Sequence, residues 1–104
     1  MKSMIDPTDQ VIARIPVEQS RHIVLIDVAG RKDISPEESN SNIYCINERG
    51  EVIWQIKAPP PKMGRDSFVS LQHTNEGLRA DRFFGAEFIV DVSTGVASEV
   101  GWHK

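Results

Sequence analysis

A single cysteine, Cys45, gives this chain no partner thiol, which excludes an internal disulfide and a multi-cysteine metal site. Long apolar runs are missing too. The longest, Ile23 to Ile26, falls far short of the roughly 20 residues a membrane-spanning helix needs. Positive charge is not in excess: 12 Lys and Arg stand against 15 Asp and Glu, for a net charge of −3. The basic residues are dispersed. Non-specific nucleic-acid binding, which needs cations clustered against phosphates, is therefore not expected. Residues 1–7 contain no apolar stretch of the kind that makes a secretion signal. These shortages point to a reducing, cytoplasmic setting and to no membrane segment.

What is present reads as β structure. At 104 residues the chain, 1–104, is one domain, and 39% hydrophobic with 26% charged residues is a globular composition. Residues 1–9 are polar and expected to fray. Three turn signals, 47–50, 75–77 and 91–95, combine Asn or Asp with a closing Gly, between runs rich in Val, Ile, Phe, Trp or Tyr. Side-chain oxygens start such turns and glycine supplies the positive φ that closes them. Antiparallel hairpins in series follow.

A strand is expected over 11–15, and Pro16, which cannot donate to a ladder, places it at an edge or at a strand end. After a turn at 18–21, residues 23–28 are apolar on both faces and predict a central, doubly covered strand. Ser35-Pro36-Glu37-Glu38 has capping-box spacing, enough for one helical turn, but no apolar stripe follows and 30–42 reads as a loop. The next hairpin pairs 42–46 with 51–56, with Val52, Trp54 and Ile56 on one face. Ala58 to Asp66, with Pro59, Pro60 and Pro61, is a stiff extended connection. Strands over 67–73, 77–84, 86–91 and 95–102 complete the pattern. The fold class is all-β: an antiparallel meander of seven to eight short strands forming a small sandwich or partly open barrel.

Ile43 to Asn47 with Gly50 to Trp54 resembles the inner hairpin of a quinoprotein-type β-propeller blade, and 88–91 with 94–96 is similar, with Ser98 and Glu99 where a tryptophan would stand. The chain also resembles small uncharacterised bacterial proteins. Eight strands would make two blades, short of a closed propeller. The resemblance implies a blade-like meander completed by itself or by another chain, and it brings no catalytic residue and no cofactor.

Residues able to do chemistry are sparse. His22, His73 and His103 lack the spacing of metal ligands, so no metal is expected. Cys45 falls on a strand face as a small buried hydrophobe. Asp27 interrupts an apolar strand. It is either a carboxylate with a shifted pKa or the cap of the loop that follows, and the second reading is favoured. Phe83-Phe84 beside Arg79 and Arg82 is the nearest approach to an aromatic binding strip, with one ring inward and one outward at strand spacing.

The sequence therefore favours a binding or protein–protein interaction module over an enzyme, with no cofactor, no nucleic acid and no membrane partner. A protein partner is favoured over a small molecule. Recognition is expected on the loops 30–42 and 58–66, with Lys62, Arg65 and Arg82 contributing and Trp54 and Trp102 as anchors if exposed. The alternative is a small enzyme or ligand-binding protein with a loop-lined pocket near Asp27 and His73. The C-terminal strand, ending in Trp102, favours a homodimer.

Overall fold

The structure, a computed structural model, describes residues 10–62 and 64–102, with the backbone alone of Trp102. The expected fraying of 1–9, the ring of Trp102 on which the homodimer turned, and His103 lie outside the described residues. Among the described residues eight strands form two four-stranded antiparallel meanders. The first contains β1 (Val11–Val17), β2 (Arg21–Ile26), β3 (Ile43–Ile46) and β4 (Val52–Gln55), in that spatial order. The second contains β5 (Phe68–Thr74), β6 (Gly77–Arg82), β7 (Ala86–Val90) and β8 (Ala97–Trp102). The sheets stack as a small sandwich.

Alternation decides the stacking. Ile23 and Leu25 of β2, with Ile43 and Cys45 of β3, meet Leu71, Leu78, Phe88 and Val90 in the space between the sheets. The opposite face of the first sheet carries Val24, Ile26, Tyr44 and Ile46, covered by Val28 and Ile34 from the loop that follows β2. The expectation of a doubly covered central strand holds, since residues 23–26 of β2 are 0% exposed. The second sheet keeps a polar outer face, where Arg79 pairs with Glu87 and, at 3.7 Å, with Asp81.

Each expected turn is closed locally. Asn47 accepts from the backbone N–H of Arg49 and of Glu51, both at 2.9 Å, and Gly50 follows at φ 83°. At 74–77 the Thr74 hydroxyl, rather than the Asn75 side chain, makes the turn: it donates to Gly77 O and accepts from Glu76 N. Asp91 accepts from Ser93 N at 2.8 Å, and its carbonyl receives Gly95 N at 2.7 Å.

Three expectations are corrected. A short helix, α1 (Pro36–Ser39), forms in the 30–42 loop because Ser35 Oγ accepts from Glu38 N at 3.2 Å, and this cap suffices for one turn. Val52 does not share a face with Trp54: the register slips between Cys45 and Ile46, the extra residue on β4 bulges, and Val52 ends 47% exposed opposite Ile46. β1 runs through Pro16 to Val17, which an edge strand tolerates because the missing N–H can face away from β2.

Beyond β4 the chain reaches the second sheet. Lys57 N donates to Gly95 O and Ala97 N donates to Lys57 O, both at 2.8 Å, forming one parallel bridge to the start of β8. The next residue on that side is Pro59, which has no N–H, so the ladder stops after one step. β1 and β5, the other two edges, are not paired either, so the two sheets stay separate.

Candidate functional site

The pairing sorts the connections between the two ends of each sheet. Val17 opposite Arg21 and Ile46 opposite Val52 put two tight turns at one end of the first sheet, and Thr74 opposite Gly77 and Val90 opposite Ala97 put two at one end of the second. At the other ends the loop 27–42, the turn after Arg82 and most of the loop 56–67 come together, while Lys57, early in that loop, reaches Gly95 instead. The two loops singled out from sequence are thus brought together.

Polar side chains lock that second end. Asn40 accepts from Asp66 N at 2.8 Å and donates to Gly64 O at 3.0 Å. Asn42, 0% exposed, donates to Ile26 O and Phe68 O at 2.8 and 2.9 Å and accepts from Phe68 N, stitching β2 to β5 across the sheets. Arg65 donates to Ile34 O at 2.8 Å. Two loops that the sequence leaves separate become one platform.

The β6–β7 turn rests on that platform. Phe83 N donates to Ser67 O, and Phe84 N donates to the Asp66 carboxylate, both at 3.0 Å. Gly85, at φ 110°, closes the turn with a bond to Arg82 O. Because 83 and 84 belong to the turn and not to a strand, strand alternation does not apply, and the expectation of one ring inward fails. Both rings point out, 67% and 45% exposed, in an edge-to-face pair with centroids 5.0 Å apart.

Arg82 lies beneath the pair. It takes the last inward position of β6, 5% exposed, with its guanidinium carbon 4.7 Å from the Phe88 ring centre and 5.2 Å from that of Phe68. The guanidinium donates to Pro59 O at 2.6 Å, tying the proline segment to the turn, while Nε has no acceptor among the described residues. Burial pulls the Arg82 pKa below its usual value, against the pull of Asp66 and Glu99 in the other direction.

Of the residues expected to bind, Arg82 and Trp54 are therefore support. Trp54 is 6% exposed and donates from Nε1 to Val92 O at 2.8 Å. Lys62 and Arg65 are exposed at the loop end, as Phe83 and Phe84 are. Sequence reading missed Asn40, Asn42 and Asp66, and the signal available was slight: asparagines ending a polar loop, and an aspartate just before a strand.

The pocket expected near Asp27 and His73 is not one place. Asp27 follows β2 at the loop-bearing end, where its Oδ1 accepts from Ala29 N at 3.0 Å as a loop cap. His73 stands at the opposite end, on an open cleft of about 600 Å³ bordered also by Val17, Glu18, Arg21 and Val92. Cys45 is 0% exposed, and burial pushes its thiol pKa up, outweighing the pull of Arg21. A thiol so held has little nucleophilic form. Among the described residues no cluster of His, Cys, Asp and Glu is placed to hold a metal, and no helix is long and apolar enough to cross a membrane.

Among curated proteins and solved structures none matches this chain. A family model described as "Domain of unknown function (DUF7957)" matches residues 8–102, nearly its whole length, and the chain belongs to that family.

Proposed function

We propose that the protein is a binding module that engages a protein partner through the loop-bearing end, with Phe83 and Phe84 as anchors and Lys62 and Arg65 beside them on the same platform. One observation carries this reading: two adjacent phenylalanines are exposed at 67% and 45% and held in fixed geometry from behind. Burying such a ring is worth about 1.5–3 kcal/mol, so a partner that covers both gains from each. The support beneath them reduces the ordering that binding would otherwise require. Aromatic anchors on rigid turns are a common way for a small interface to concentrate its energy. A buried free thiol suits a reducing compartment, and we place the protein in the cytoplasm on that ground.

The test is comparative capture from the native host. Wild-type protein and a Phe83→Ser, Phe84→Ser variant, both shown folded by circular dichroism, serve as bait, and retained proteins are identified by mass spectrometry. A partner held by wild type and lost with the variant is the expected result. Equal retention by both would move recognition off the aromatic turn.

A further inference from the structure

The inward positions of a β-sandwich are its core positions. They carry Ile15, Ile23, Leu71, Leu78 and Val90 through the middle of this molecule. Around the cleft bordered by Val17, His73 and Val92, that rule breaks on two strands. The last inward position of β2 is Arg21, whose charge is felt at inward-facing Cys45, and that of β5 is His73, opposite buried Leu78. Val17 and Val92, which pack against the core, sit beside them. Space is left between the sheets at this mouth, the open cleft of about 600 Å³.

The opposite end offers a comparison. There too an arginine, Arg82, takes the last inward position, but two phenylalanine rings and Pro59 O fill the space around it. Arg21 has no such plug. Its Nε reaches Glu18 O at 3.4 Å, and among the described residues no carboxylate lies within ion-pair distance of it. Gln19 and Ser20 hold the connecting turn at φ 65° and 58°, a left-handed geometry uncommon for residues other than glycine, and this turn carries Glu18 over Arg21.

We infer that this mouth is a binding site for a small monocarboxylate with an apolar body, its carboxylate on Arg21 and His73 and its hydrocarbon on Pro16, Val17 and Val92. A guanidinium presents a planar fork that a carboxylate fits with two bonds. Glu18 on the border is a like charge, which penalises a dianion such as phosphate more than a monoanion. The wall bearing Val92 is rigid before anything binds. Trp54 donates to Val92 O, and Gly95 lies so close to the indole that a Cβ there would stand 2.5 Å from it. The site is remote from the aromatic turn and independent of the function proposed for it.

Nuclear magnetic resonance titration of the ¹⁵N-labelled protein with sodium butyrate at constant ionic strength tests the assignment. Saturable shifts confined to the amides around Val17, Arg21, His73 and Val92 are expected, with half-saturation in the millimolar range. Butanol, which lacks the charge, and inorganic phosphate, which lacks the apolar body, should each bind at least fivefold more weakly. Arg21→Gln should weaken butyrate at least tenfold and His73→Gln about threefold, in variants whose spectra show the native fold. If Arg21→Gln unfolds the protein, Arg21→Lys, with the charge but not the fork, should still weaken butyrate severalfold. The Phe83→Ser, Phe84→Ser variant should bind it as wild type does. Shifts that do not saturate, equal binding of butanol or phosphate, or an undiminished affinity in folded Arg21 variants would overturn the inference.

Discussion

Arg82 carries a charge in a place that supplies one carbonyl and two aromatic faces. A buried arginine lacking a carboxylate partner contributes little net stability, and an apolar replacement of similar length removes its desolvation penalty. Arg82→Met is expected to lie within about 1 kcal/mol of wild type in urea unfolding, whereas Arg82→Lys, which keeps the charge and loses the stacked plane, should cost about 2 kcal/mol. The methionine variant still loses the bond to Pro59 O. Its proline segment should loosen, so trypsin should cut after Lys62 severalfold faster at unchanged global stability. Cys45 gives a second residue-level expectation. Its folded pKa is raised from an ordinary 9.0, so the native state holds the thiol proton where the unfolded chain releases it. Stability from this group is complete below about pH 9 and falls as pH rises through the folded value. Alkaline unfolding of wild type should therefore be steeper with pH than that of Cys45→Ala, measured by denaturant midpoints between about pH 8 and 10.5.

At the scale of elements, two glycines with similar backbone geometry make different demands. Gly50, φ 83°, faces open space, and Gly95, φ 81°, is pressed against the indole of Trp54. Gly50→Ala should cost about 1 kcal/mol, the strain of a left-handed alanine. Gly95→Ala adds a clash with a buried ring and should cost about 3 kcal/mol, with loss of the native tryptophan fluorescence, followed by thermal and urea unfolding. The hairpin of β3 and β4 was legible because Asn47 and Gly50 encode their turn locally. The doubly apolar β2 was equally plain, since both of its faces could be read directly. The bulge at Ile53 was not: it depends on register with β3, and no single-strand pattern carries it. Phe83-Phe84 was read as the end of a strand over 77–84, whereas Asp66, far along the chain, fixes where the turn begins.

For the whole molecule the decisive contacts join the two meanders. Asn42 makes three buried side-chain bonds, two of them across to Phe68 of the other sheet, and leaving their partners unsatisfied in a dry interior is expensive. Asn42→Leu should destabilise by about 3 kcal/mol or more in urea, more than any surface substitution on the same loop. An asparagine in a polar loop gives no local sign of such a role, because its partners are 16 and 26 residues away in sequence. The all-β class rests on turn spacing and was readable; the loops 30–42 and 58–66 were singled out one by one, but their meeting rests on long-range bonds such as Asn40 to Asp66 and was not. The cleft was readable only in part. His73 could be singled out, but nothing joins it to Arg21 until two sheets are stacked.

The segregation of turns and loops also governs how this protein can be handled. β1 starts opposite Ile26 and β8 finishes opposite Ala86, so both Gln10 and Trp102 emerge beside the loops and the aromatic turn. A tag, bead or fused domain joined through either of them crowds the surface proposed to meet a partner, while leaving the mouth at Arg21 clear. Attachment through the exposed turn at Glu48, on the far end, presents Phe83 and Phe84 to solvent, and a capture experiment oriented that way has the aromatic face free.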